Sequence, residues 1–552
     1  MQPIFNKIPP EVNILLYADD VILIVKDKNH SAIRKHLRKG VKAATDWALS
    51  VGFAIAPTKS KLLHACFQQH RKRGRAIKIN DAPIPRVRKI KILGILVDAK
   101  LNFKQHLNSI KNSCSRRIQI LRILGRRLKR SSRSTLLKVG SALIISKLFF
   151  GLGLTSLNVD DIERILGPTY NEVVRQSSGV FITSPISSIM AEAGCLPFRL
   201  ALTQRLSKLA VRLLENNPEA IDYPVVERSV ELLQQSTGFI FPKVSCIQRA
   251  SDRPWHAQPP KIDNQLRNAI KAGTIKNIVL PQFQEFIANR YNSFTHVFTD
   301  GSKDGNSTGA GVAIGRENYS YCLPSICSVF SAEAFALNVG LSKTGEELNT
   351  LVLTDSASCL DALHGGRSKH PWIQSVEKLI GNRNVQFSWI PGHSGIPGNE
   401  QADHLAKQGL TETQLDIPIP AQDVTHAIKS NIWQAWELEW NRSRVQLRQI
   451  KNTPGKYPDR TCASDQRILS RIRIGHTRLT HSHLLKHNPP PICTCCGIRL
   501  TVQHILIDCR AFAQTRSACG INGTLADILA YNPQKEELVI KFLKDSNLYN
   551  EI

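Results

Sequence analysis

Thr295-His296-Val297-Phe298-Thr299-Asp300-Gly301-Ser302 reads as an apolar strand ending in a carboxylate at a glycine turn. Thr308-Gly309-Ala310-Gly311-Val312-Ala313-Ile314 is a second strand, with glycines where another backbone can approach closely. Ser331-Ala332-Glu333-Ala334-Phe335-Ala336-Leu337 opens a helix of good formers, with Ser331 as the expected cap. Thr350-Leu351-Val352-Leu353-Thr354-Asp355-Ser356 is a third strand with Asp at its carboxyl end. Val385-Gln386-Phe387-Ser388-Trp389-Ile390 leads into Pro391-Gly392-His393-Ser394-Gly395, and Asn399-Glu400-Gln401-Ala402-Asp403-His404-Leu405-Ala406 begins a last helix. This alternation predicts a mixed β-sheet flanked by helices.

Asp300 and Asp355 end two apolar strands of one expected sheet, and Glu333 and Asp403 start helices that can pack beside them. Four converging carboxylates repel one another unless cations neutralise them. Oxygen donors of this kind select hard ions, Mg2+ or Mn2+. Two such ions about 3.5–4 Å apart can clamp the attacking and leaving oxygens of an in-line phosphoryl displacement. Each carboxylate alone reads as a cap or turn residue; four at these positions, with Thr-Asp-Gly-Ser and Pro-Gly-His in order, read as a site. Asp361 and Glu400 read as surface acids, and Ser302 and Asn399 as contacts for a substrate backbone.

The stretch 290–411 resembles the type 1 ribonuclease H family along its whole length. The resemblance implies that Asp300, Glu333, Asp355 and Asp403 are the metal-binding, catalytic carboxylates. It implies that His393, in a Gly/Pro-rich loop, is the mobile histidine that orients or releases groups at the scissile phosphate. The implied activity is endonucleolytic cleavage of the RNA strand of RNA–DNA hybrids.

The whole chain has 552 residues, a length that suggests three or four domains at about 150 residues each. Lys and Arg number 73 against 44 Asp and Glu, a net charge of +29, so the expected partner is a polyanion, RNA or DNA. The excess is uneven. Residues 1–150 hold 32 basic and 7 acidic side chains, whereas residues 291–412 hold 8 and 12. An acidic site is thus delivered to a polyanion by basic neighbours. Met1–Pro10 lacks the features of a secretion signal. The apolar runs at 12–25 and 148–157 are broken by Asp19 and Asp20 or too short to span a bilayer, so no membrane partner is expected. Thirteen scattered cysteines suit a reducing compartment, with nucleus or cytoplasm as the expected location.

Asn13–Val25 reads as two short strands around a tight turn that carries Asp19 and Asp20, a pair that a divalent cation would neutralise. Ser31–Val51 has helical spacing with Lys and Arg on one face. Beyond it come Ala56-Pro57-Thr58-Lys59-Ser60-Lys61 and the strand Lys91–Asp98. Residues 101–150 contain no Asp or Glu, while His106, Arg116, Arg117, Arg122, Arg126, Arg127, Lys129 and Arg130 lie in one expected helix, a pattern suited to phosphate contact. Tyr17-Ala18-Asp19-Asp20, Thr58-Lys59-Ser60-Lys61 and Ile92-Leu93-Gly94, in this order, resemble the metal-binding, lysine-bearing and primer-grip boxes of reverse transcriptases of non-LTR (LINE-type, jockey/I-like) retrotransposons. The resemblance implies that Asp19 and Asp20 hold Mg2+ in a polymerase remnant and that the basic helices are a thumb. The family uses a third carboxylate on an earlier strand. Only 16 residues precede Tyr17, so primer extension by this chain is not expected.

Residues 151–290 carry helical periodicity without a catalytic constellation, and within them Ser251–Ile262, with Pro254, Pro259 and Pro260, reads as a linker. Trp433, Trp436 and Trp440 stand at helical spacing and read as a packed helix face. Cys493, Cys496, His504 and Cys509 offer four soft ligands within 17 residues, a spacing suited to a closed, structural Zn2+ site; Cys495 is a competing ligand and Cys519 a spare. Many LINE-type elements end with a similar knuckle. Arg471, Arg473, His476, Arg478 and Lys486 upstream would add nucleic-acid affinity.

The expected architecture is a multi-domain α/β chain. It comprises a truncated palm (1–98), a helical thumb and connection (99–250), a linker (251–290), a ribonuclease H-like domain (291–411) and a helical region with a zinc knuckle (412–552). The expected function is hybrid ribonuclease activity within a retrotransposon polyprotein. Polymerase activity when joined to upstream sequence, or a non-catalytic nucleic-acid-binding relic, are the alternatives.

Overall fold

The strand that carries Asp300 lies inside a six-stranded sheet. The computed structural model of the chain describes residues 4–65, 76–127, 132–247, 260–269, 276–366, 368–381, 383–460 and 462–552. The six strands are β1 (Lys261–Asp263), β2 (Thr295–Asp304), β3 (Ser307–Ile314), β4 (Glu317–Leu323), β5 (Thr350–Thr354) and β6 (Val385–Trp389). Their order is β4-β3-β2-β5-β6-β1. β3 runs antiparallel to β2 and β4, and β2, β5, β6 and β1 run parallel. The hairpins close on two-residue turns, Gly305-Asn306 and Gly315-Arg316, with both glycines at positive φ. The parallel step from β2 to β5 needs a crossover, which α2 (Val329–Lys343) supplies. β5 is covered on both faces, and all five of its residues are buried.

The other helices of this part are α1 (Lys276–Arg290), α3 (Ala357–Gly365), α4 (Pro371–Ile380), α5 (Pro397–Gly409) and α6 (Ala421–Asn441). Alternation along β3 decides which helix each residue meets. A Cβ at Gly309 would lie 2.0 Å from the carbonyl oxygen of Ala406, and one at Gly311 2.2 Å from that of Ala402, so α5 rests directly on the strand backbone. Val312 instead approaches Gly340 of α2.

Part of the stretch expected to be a linker is structured. β1 extends the sheet edge along Gln386–Ser388, and α1 packs Val279, Phe283 and Phe286 with Leu351, Leu353, Ile390 and Ile396. The Tyr291 hydroxyl donates to Asp263 (2.8 Å), fixing β1 to the body of the sheet. Residues 251–259 of the expected linker lie outside the described residues.

The chain divides into two units, Met1–Ser177 and Ser178–Ile552. The division thus falls inside the stretch expected to be thumb and connection. In the second unit, Glu192 is fully buried, accepts from Ser470 Oγ (2.9 Å), and lies 3.8 Å from Lys451 Nζ and 4.0 Å from Arg473. That polar core ties the helix Ile186–Ala193 to the C-terminal region. α6 packs against the helices Phe198–Asn216 and Pro224–Thr237. Trp436 and Trp440 are buried on it, and the Trp440 indole donates to the Lys451 carbonyl (3.0 Å), the packed face expected of these tryptophans. A separate C-terminal core joins Ile468, Leu469 and Ile472 to Ile505, Leu506, Phe542 and Leu543.

In the first unit, Asn13–Tyr17 and Asp20–Ile24 form the expected hairpin, with Tyr17 opposite Asp20. The other strands of this unit also pair only two by two among the described residues, so no larger palm sheet is assembled there. The helix Lys104–Arg127 turns Leu107, Ile110, Cys114 and Leu121 into a core. His106 is buried as well, accepting from the Leu96 amide (3.2 Å), and so is not a phosphate contact. Lys129 and Arg130 of the expected basic face lie outside the described residues. Arg133–Leu154 is the one helical run among the described residues long and apolar enough, by length and composition, to cross a membrane. This amends the expectation that no such segment exists. Its residues Leu136, Gly140, Ile144, Leu148 and Leu152, four apart, are buried, the spacing of a helix face packed on its neighbours.

Candidate active site

Asp300 sits on β2 opposite Gly311, Glu333 on α2, and Asp355 one residue beyond β5. One carboxylate oxygen from each of these three lies within 4.8 Å of the others. Asp300 is 8% and Glu333 6% exposed. Gly301 sets how closely α2 approaches, because a Cβ there would stand 2.7 Å from the Glu333 amide nitrogen. Asp403, on α5, lies beside this group, close enough for its charge to raise the pKa of Asp300, and it groups with His393 and Glu400. The glycine contacts of β3 with α5 make this approach possible.

Burial and mutual repulsion work against ionisation here. Asp300 is pushed up to about 7, first by burial, then by the charges of Asp355 and Asp403. Glu333 is raised well above the carboxylate range by burial and by Asp300 and Asp355. Asp355 is also raised by burial, with His393 and a hydrogen bond from Asn399 pulling the other way.

The Pro391–Gly395 turn runs against this cluster. A Cβ at Gly392 would stand 2.5 Å from Asp355 Oδ2. His393 holds a left-handed backbone (φ 51°) that costs a non-glycine residue energy, and its side chain is 72% exposed. Its Nδ1 is 3.9 Å from Asp403 Oδ2, while Lys407 Nζ holds the same oxygen at 2.6 Å.

Two expectations need correction. Glu400 is not a plain surface acid: it groups with His393 and Asp403 within 4.8 Å and accepts from the Gly395 amide (3.0 Å). Its place one helical turn before Asp403 was the available signal. Asn399 is 3% exposed, its Oδ1 is buried without a hydrogen-bond partner, and it lowers the Asp355 pKa, so it is enclosed rather than open to a substrate backbone. Ser302 is half-buried on β2 opposite Gly309. Asp361 is exposed and pairs with Arg267 (3.1 Å), as a surface acid should.

Oxygen-only donors suit hard divalent ions, whose charge would offset the burial and mutual repulsion that raise these carboxyls. Glu333 Oε2 is buried with no hydrogen-bond partner, an acceptor left for a cation. The residues present therefore fit Mg2+ or Mn2+.

A second cluster lies in the C-terminal region. Ligand atoms of Cys493, Cys496, His504 and Cys509 stand within 4.8 Å of one another. The Cys493 and Cys496 sulfurs are 3.6 and 4.0 Å from that of Cys509. In a tetrahedral zinc site with Zn–S bonds of about 2.3 Å, sulfurs stand about 3.8 Å apart. Both His504 ring nitrogens are buried without a hydrogen-bond partner. The group is compatible with zinc. Cys495 is exposed and outside it, and Cys519 is buried elsewhere, beside Asp545.

Asp19 and Asp20 are exposed at the hairpin tip, and no third His, Cys, Asp or Glu groups with them among the described residues.

The mixed sheet, with carboxylates gathered at β2, β5 and two helices, is the architecture of a ribonuclease H-like α/β domain. Residues 292–411 match the RNase H family model. The chain thus contains an RNase H domain, which points to an RNA–DNA hybrid ribonuclease.

Proposed function

We propose that residues 292–411 cleave the RNA strand of RNA–DNA hybrids by metal-assisted phosphodiester hydrolysis. The observation that carries this reading is the buried meeting of Asp300, Glu333 and Asp355, with the charge of Asp403 close beside Asp300. These four side chains would hold Mg2+ or Mn2+. Two such ions, when bound, activate water and offset charge on the leaving oxygen. Asn399 and the Gly392 turn hold Asp355 in place. His393, exposed on its turn beside Asp403, is placed to orient or pass a proton at the scissile phosphate. Ser302 is the remaining candidate contact for the substrate backbone.

In this reading the domain works within a retrotransposon polyprotein, in the nucleus or cytoplasm. The Tyr17–Asp20 hairpin is then a reverse transcriptase element whose polymerase chemistry depends on further sequence, and the Cys3His group holds a structural Zn2+. Exposed Lys104, Lys111 and Arg116 on the carboxylate-free helix would contact phosphates of RNA or DNA. The test is Mg2+-dependent cleavage of a labelled RNA–DNA hybrid beside a matched RNA duplex. Cleavage confined to the hybrid supports the reading, and equal cleavage of both sinks it.

A further inference from the structure

α2 is pinned by a residue that lies outside the matched RNase H segment. The helix begins at Val329 with Ser328 as its cap, whose side chain accepts from the Ser331 amide (3.2 Å). Ser331, expected to be the cap, is instead inside the first turn, and its hydroxyl is available for tertiary bonds. Its Oγ donates to Asp423 Oδ2 at 2.5 Å and lies 2.9 Å from His370 Nε2. Ser328 Oγ donates to it as well (3.2 Å). One donated and two accepted bonds use the full capacity of a hydroxyl. The His370 ring, kept neutral by burial that lowers its pKa to about 4, serves as the Nε2–H donor.

All three groups are buried: Ser331 is 1%, His370 3% and Asp423 5% exposed. They join three helix starts, because Ser331 is in the first turn of α2, His370 precedes α4, and Asp423 is in the first turn of α6. Glu333 is two residues from Ser331. Its amide lies so close to Gly301 that a methyl group could not fit between them. A shift of the first turn of α2 therefore moves Glu333 directly against the strand that carries Asp300. A bond that fixes Ser331 fixes the spacing of two carboxylates.

We infer that Asp423, through Ser331, is a positioning residue for the carboxylate cluster, so that the metal-binding unit extends past residue 411 to α6. This inference rests on the proposed metal-dependent nuclease. It makes the C-terminal helix part of the site's support rather than an appended module. Residues that orient metal ligands typically change metal affinity by about 10–100-fold when removed.

The experiment is Mn2+ affinity, read by electron paramagnetic resonance on the full-length chain without nucleic acid. Asp423→Ala and Ser331→Ala should each weaken Mn2+ binding about tenfold or more. Asp423→Asn, which keeps an oxygen acceptor for the Ser331 hydroxyl, should bind within about twofold of the parent. The double variant Asp423→Ala with Ser331→Ala should be no weaker than either single one, as expected if both act through one bond. Binding by folded Asp423→Ala within twofold of the parent would overturn the inference, as would Asp423→Asn as weak as Asp423→Ala. If Asp423→Ala does not fold, the Ser331→Ala and Asp423→Asn pair decides by the same criteria. A parent chain that cleaves no hybrid would sink the nuclease reading alone, since the affinity comparison reads the coupling without turnover.

Discussion

Gly311 of β3 lies directly beneath the carbonyl of Ala402 in α5; a methyl group on Gly311 would stand 2.2 Å from that oxygen. This contact sets the height of α5 over the sheet, and Asp403 is the next residue along the helix. Gly311→Ala should therefore lift α5 and withdraw Asp403 from Asp300. Overpacking of this kind costs about 1–3 kcal/mol. The expected result is a lower melting temperature together with a loss of hybrid cleavage that persists well below it. Full activity in a folded Gly311→Ala chain would show that the helix height does not matter.

Raised carboxylates make the metal-free protein sensitive to pH. Asp300 ionises near 7 in the fold but near its ordinary value, 3.8, when unfolded. Between these values the folded chain binds more protons, so stability falls as pH rises. Glu333 and Asp355 shift in the same direction. In chelator, the melting temperature should drop from pH 5 to pH 8, and Asp300→Asn should flatten that drop. Added Mg2+ should restore stability at pH 8, because ions that bind only the folded state stabilise it. A parent chain whose stability rises over this window would contradict the assignment.

The positions of the four carboxylates were legible because each has a local signature. Asp300 falls on an apolar strand, which runs on to Asp304 rather than ending at it, Asp355 follows one, and Glu333 and Asp403 fall within helical patterns, Asp403 in the middle of its helix. The supports were harder to read. Ser328 and Ser331 are three residues apart and both suit a cap; only Asp423, 92 residues on, decides which serves. β1 has three residues, too few for a periodic pattern, and its partner strand is more than 120 residues away. The allegiance of residues 178–247 rests on tertiary contacts, among them the buried Glu192 with Ser470 and Arg473 and the helices packed on α6, which leave no local mark. His106 shows the opposite error: a histidine in a basic helix looked solvent-facing, but its ring is spent on the Leu96 amide.

The Cys3His group should carry metal. Metal analysis of the full chain should find about one zinc, lost in Cys496→Ser. Because metal binding to a folded site becomes folding energy, chelation should lower the melting temperature of the C-terminal region. A zinc content unchanged by Cys496→Ser would remove that residue from the ligand set.

The helix Lys104–Arg127 should dominate the salt dependence of binding. Its exposed Lys104, Lys111 and Arg116 are clear of its buried face. Changing all three to Glu should reduce the slope of log affinity against log salt by about 2–3, the share of three phosphate contacts. If Cys496→Ser flattens the slope more than this triple change, the binding surface lies at the other end of the chain.

The most direct measurement is the rate of Mg2+-dependent cleavage of the RNA strand in a labelled hybrid by the parent chain and by Asp300→Asn. The substitution keeps the shape of the side chain and removes one anionic ligand. Loss of about 3 kcal/mol of transition-state stabilisation corresponds to a rate about a hundredfold lower. The account predicts at least that fall, with the fold intact by thermal melting. Near-parent cleavage by folded Asp300→Asn would contradict it.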